Sequence, residues 1–183
     1  YSSIMQVNET ALYAELNRLR DKNKNGNNKH NILNSKKTEL ELKKGEVIAE
    51  IYLLNICIYY FKKAKNIFEL LNPADFSNDI HSKIAGIIQK AAIEDKKLTA
   101  GEIIGFFENE EEKSRVAEVF SQKLPEVDVD SLIKSSLDKV INSKSDRTIH
   151  KMIEKMDEVY QAGEIDSANR IFVEIKELQK KKR

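Results

Sequence analysis

Val47-Ile48-Ala49-Glu50-Ile51-Tyr52-Leu53-Leu54-Asn55-Ile56-Cys57-Ile58-Tyr59-Tyr60-Phe61 is the stretch on which the fold turns. Apart from Glu50 and Asn55 every residue in it is apolar or Tyr, so it is hydrophobic nearly all round. A strand of that length would be unusual, and a membrane span needs roughly 18 or more apolar residues. The stretch therefore predicts a central helix buried on most sides. Cys57, the only cysteine, sits inside it and has no partner for an internal disulfide. A small buried thiol in a reducing compartment is the expectation.

The rest of the chain agrees with an all-helical reading. Among 183 residues, 33% are charged and 40% hydrophobic, with only six Gly, two Pro and no Trp. Such a charge-rich, breaker-poor mixture suits long solvated helices, and 183 residues are enough for one compact domain plus an appendage or two small domains, so these residues are not expected to hold a large multidomain enzyme. The net charge of +1 gives no global field that would draw the chain onto DNA or an anionic membrane. That near-neutrality hides a division: residues 1–45 and the tail Lys180-Lys181-Lys182-Arg183 are basic, and the body between them is acidic.

Outward from the central helix, punctuation residues mark the other elements. Upstream, Ile4, Val7, Ala11, Leu12, Leu16 and Leu19 form one helical stripe, and an Asn-rich stretch around Gly26 then reads as a tether. We divide the chain into a helix over 1–22, an Asn/Lys-rich linker over 23–38, a helical bundle over 39–145 and a helical hairpin over 146–183. Downstream, a short helix spans Lys63 to Leu71 with Ile67, Leu70 and Leu71 inward, and Asn72-Pro73 stops it. A helix after Ser77 carries Ile80, Ile84, Ile87, Ile88 and Ala91 on one face. Thr99 with Glu102 forms a capping box, and Val116, Val119 and Phe120 mark a further helix ending before Pro125. Gly101 and Gly105 read as a tight helix–helix contact.

From Asp128 to Gly163 there is neither Gly nor Pro, and apolar residues keep a helical period, weakest at Asn142 to Asp146. Gly163 fits a helix stop and Asp166 a cap, with a last helix from Ser167 to about Lys181. The expected architecture is all-α: a small helical bundle joined by a long helix to a C-terminal helical hairpin, preceded by a short helix and flexible linker.

Catalytic and metal motifs are missing from the pattern. His30, His81 and His150 have no His or Cys at metal-ligand spacing and read as surface or satisfied histidines. Glu108 to Glu112 reads as a solvated helix start. The informative feature is the last helix, where Ile165, Ala168, Ile171, Phe172, Ile175 and Leu178 cover an arc of about 140° at 100° per residue. One facing helix covers a narrower seam. Ala168, Phe172 and Ile175 can pack on Met152, Met156 and Val159, which leaves Ile171 and Leu178 partly open to a partner.

Three groups of residues resemble the C-terminal helicase-binding domain of bacterial DnaG-type DNA primases: Glu46 to Leu54, with its Ala-Glu and paired leucines; Asn72-Pro73-Ala74-Asp75-Phe76 followed by His81 and Ile84; and Gly163-Glu164-Ile165-Asp166-Ser167-Ala168-Asn169-Arg170. The resemblance covers about residues 40–183, and Val7 to Arg20 resembles the end of the primase's polymerase domain. It implies a non-catalytic interaction domain, with catalytic and zinc-binding parts upstream in the parent nucleotidyltransferase, and no cofactor or metal in this chain. The implied partner is the N-terminal part of the hexameric replicative helicase at a bacterial, cytoplasmic replication fork. DNA contact would be weak or indirect, the membrane would not be involved, and a hairpin-swapped dimer is compatible with the pattern. Ile171 and Leu178 would be the apolar anchors of the helicase contact, Ile165 would lie beside them, and Tyr160, Glu164, Arg170 and Lys176 would form the polar rim. Two alternatives remain open from the residues: the N-terminal domain of the helicase itself, and a nucleic-acid-binding helical module using Lys22–Lys44 and the basic tail.

Overall fold

The computed structural model describes the backbone over residues 29–181 and side chains over 44–180. The expected helix over 1–22 lies outside the described residues. Those described form seven α-helices and one 3-10 turn, with no strand. The described part of the chain is all-helical. In order they are α1 (Lys29–Tyr59), α2 (Phe61–Leu70), a 3-10 turn (Pro73–Asp75), α3 (Asp79–Ile93), α4 (Ala100–Gly105), α5 (Glu110–Ser121), α6 (Val129–Gln161) and α7 (Ile165–Lys181).

Two compact units result, one over Lys43–Asp146 and the other grouping the described residues 29–42 with 147–181. The first is the bundle. Its axis is the C-terminal half of α1, where Leu53, Leu54 and Ile56 have no exposure and Cys57, Ile58 and Ala49 are buried beside them. Around it pack Ala64 and Ile67 of α2, Ile80, Ile84 and Ile88 of α3, Ile103 of α4, Val116 and Val119 of α5, and Leu132, Leu137 and Val140 of α6. α1 begins at Lys29, so residues 29–38, read from their Asn and Lys content as linker, are helical. Composition misled here because Lys and Asn carry only modest helix penalties. On α2, Leu70 is 64% exposed, and its inward placement is corrected. That helix turns Ala64 and Ile67 inward instead.

Local chemistry sets the helix ends. Asn72 and Asp75 close a reciprocal capping box around Pro73: the Asn72 side chain accepts from Ala74 N–H, and Asn72 N–H donates to Asp75 Oδ2 at 2.9 Å. Asn78 caps α3 by accepting from Ile80 N–H at 2.8 Å. Thr99 and Glu102 form the expected capping box at α4. Gly101 and Gly105 make no close contact, since a Cβ at either position would meet nothing within 4 Å. Asn109 caps α5, whose first turn carries Glu110, Glu111 and Glu112, the charge sign that a helix N-terminus favours. Within the bundle, ion pairs Lys63–Asp130 and Lys144–Asp75, at 2.6 and 2.7 Å, tie α6 to α2 and to the 3-10 turn.

α6 runs unbroken through Asn142–Asp146 to Gln161. Gly163, at φ 81°, then reverses the chain. Glu164 N–H donates to Val159 O and Gly163 N–H to Tyr160 O, the two bonds of a Schellman motif. The same reversal lets Ala168 N–H reach Glu164 O at once. α7 therefore starts at Ile165, two residues before the expected Ser167, and Asp166 lies in its first turn rather than at its cap.

Candidate interaction surface

The hairpin unit has its own core, small among the described residues. Ile149, Met156, Ala168 and Ile175 are buried, and Met152, Ile153, Val159, Tyr160, Ile171, Phe172 and Leu178 pack on them half-exposed. Ala168 and Ile175 form the centre of the apolar arc of α7. Ile171 and Leu178 occupy one flank of that arc and Phe172 the other, where Lys176 Nζ lies 5.3 Å from the Phe172 ring centroid. That distance suits a cation–π contact, which holds the Lys176 stem along the ring.

The residues singled out in the sequence distribute as follows. Tyr160, Ile171 and Leu178 join the same apolar cluster. Ile165 and Lys176 are half-buried, and Glu164 and Arg170 are exposed. At 100° per residue, Lys176 falls about 20° outside one edge of the apolar arc and Arg170 about 80° outside the other. Ile171 and Leu178, two turns apart, share one side, the spacing by which an amphipathic helix anchors on another helix.

The pattern reading overlooked the buried polar side chains of the bundle. Glu50 has no exposure; its Oε1 accepts from Ser77 N–H and its Oε2 meets His81 Nδ1, both at 2.6 Å. Asn55, equally buried, donates to Ile51 O and to Val119 O in the last turn of α5. It thereby satisfies one of the carbonyls that every helix C-terminus leaves over. The signal was present, since Glu50 and Asn55 are the two polar interruptions of an apolar run. Apart from Ile51, their partners lie 27 to 64 residues away, beyond any periodicity. His150 is exposed, 3.4 Å from Glu154. Burial pushes the Cys57 thiol up to about 12, which leaves it unreactive.

Among the described residues no group of three or more His, Cys, Asp or Glu is placed to hold a metal ion, and no helix is long and apolar enough to cross a membrane. No protein-family model matches the chain, and no curated protein or solved structure is significantly similar to it.

Proposed function

We propose that this chain is the helicase-binding part of a bacterial DnaG-type primase, a non-catalytic module that recruits primase to the replicative helicase at a cytoplasmic fork and modulates both activities. The hairpin is the docking element. Ile171 and Leu178 insert between helices of the helicase N-terminal domains, Ile165 extends the apolar strip, and Tyr160, Glu164, Arg170 and Lys176 supply the polar rim. The observation that supports this reading most is the flank of α7: two large aliphatic side chains, two turns apart, stay half-exposed beside a core that, among the described residues, has four buried members. The sequence resemblance at Glu46–Leu54, Asn72–Phe76 and Gly163–Arg170 supplies the identity of the partner.

Co-elution with the cognate helicase tests it. The parent chain should co-elute, whereas Ile171→Asp and a truncation after Gln161 should both lose the complex. A charge in an apolar anchor pocket typically costs 2 kcal/mol or more, roughly thirtyfold in affinity. Circular dichroism must show the bundle still helical in both variants. Undiminished helicase binding by the folded truncation would sink the assignment.

A further inference from the structure

The buried polar groups of the bundle lead to a second site. A fully buried carboxylate is tolerated when its charge is balanced and its lone pairs are met. For Glu50 the Ser77 N–H and the His81 ring meet one carboxylate oxygen each. The contact commits Nδ1 of His81 to Glu50, so Nε2 is what the ring can offer elsewhere, and it makes no hydrogen bond among the described residues. His81 is only 4% exposed, and it forms part of the wall of a cleft of about 430 Å³. That volume lies in the range of small-ligand pockets, about 300–1,000 Å³.

Around the cleft, Val47, Ile51 and Val119 supply apolar wall, and Arg115 and Gln122 supply donors at the rim. Arg115 is exposed and makes no ion pair or hydrogen bond among the described residues. Where both ring nitrogens of His81 carry a proton, Nε2–H is a donor that Glu50 does not use, and His81 shares the lining of this cleft with the exposed guanidinium of Arg115. Both groups call for an oxyanion. Glu118 also lines the cleft, and its charge disfavours a dianion. The apolar wall favours a ligand with a short hydrocarbon body.

We propose that this cleft binds a small aliphatic monocarboxylate, its carboxylate held by His81 Nε2 and Arg115 and its chain laid against Val47, Ile51 and Val119. The site belongs to the bundle and does not depend on helicase binding by the hairpin.

The test is a two-dimensional NMR titration of the full chain with butyrate, inorganic phosphate and 1-butanol. Butyrate should shift the His81 ring and Val119 amide signals saturably, with millimolar affinity and ahead of phosphate. 1-Butanol, which has the body without the charge, should give no saturable shift. Arg115→Gln should weaken butyrate roughly tenfold, the worth of one charge-assisted hydrogen bond. Because Arg115 is exposed and holds nothing in place, its replacement should leave the unfolding temperature unchanged, which separates a lost ligand contact from a lost fold. Equal binding of phosphate and butyrate overturns the proposal. So does unaltered butyrate affinity in Arg115→Gln, or the lack of a saturable His81 shift at tens of millimolar butyrate.

Discussion

Among the described residues, two with positive φ each close a helix. Gly163, at φ 81°, pays no Cβ penalty for its conformation, but Asp95, at φ 52°, closes α3 in the same way. Lys96 N–H donates to Ala91 O and Asp95 N–H to Ala92 O, repeating the bond pattern seen at Gly163. An L-residue in the left-handed region costs about 1 kcal/mol, less for Asp than for bulkier residues. Asp95→Gly should therefore stabilise the bundle by up to about 1 kcal/mol, and Gly163→Ala should destabilise the hairpin by about the same. Urea denaturation of each variant measures both, and a stabilising Gly163→Ala would contradict the backbone argument. Glycine at 163 announced its turn in the sequence, whereas aspartate at 95 did not, because Asp is equally at home in ordinary loops.

At the scale of elements, the capping chemistry makes helix ends sensitive to acid. Backbone and hydroxyl hydrogen bonds from Thr99 hold the Glu102 carboxyl below its usual range, and the Ser131 N–H does the same for Asp128 at the start of α6. A carboxyl depressed in the folded state contributes stability above its unfolded value and loses it as pH falls through the folded one. The unfolding temperature should drop on acidification below the ordinary carboxylate range, and less steeply in Glu102→Gln. Thr99→Ala should cost about 1 kcal/mol at neutral pH through loss of the cap. Thermal melts across an acid series check this, and identical pH slopes for the parent and Glu102→Gln would count against it. Capping boxes span three residues, so this part of the fold was legible directly: Thr99 and Glu102 stand where the motif requires. The helix over residues 29–38 was not legible, since Asn and Lys serve equally well in a tether or on a solvated helix.

For the whole molecule, the decisive fact is that the bundle and the hairpin have separate cores. Leu53, Leu54 and Ile84 are fully buried in one, and Met156, Ala168 and Ile175 in the other. Ile84→Ala and Met156→Ala should each remove about 2–5 kcal/mol from their own unit. Hydrogen exchange should then show Met156→Ala exposing amides of α7 while those of α3 keep their protection, and Ile84→Ala doing the reverse. Uniform acceleration across both units in either variant would show that they unfold as one.

Local periodicity and composition sufficed for the helical class, the central buried helix, the long helix and the terminal hairpin, because each rests on interactions within one or two turns of chain. The apolar run from Val47 and the breaker-free stretch after Asp128 carry that information in consecutive residues. Other features depend on groups distant in the chain meeting in space. Glu50 reads in the sequence as an exception to a pattern, and only the arrival of Ser77 and His81 makes it a satisfied buried carboxylate beside a cleft. Leu70 has the spacing of an inward residue, but the packing of α2 leaves it in solvent. Burial and electrostatic pairing are properties of neighbours in three dimensions, and no window of sequence contains those neighbours.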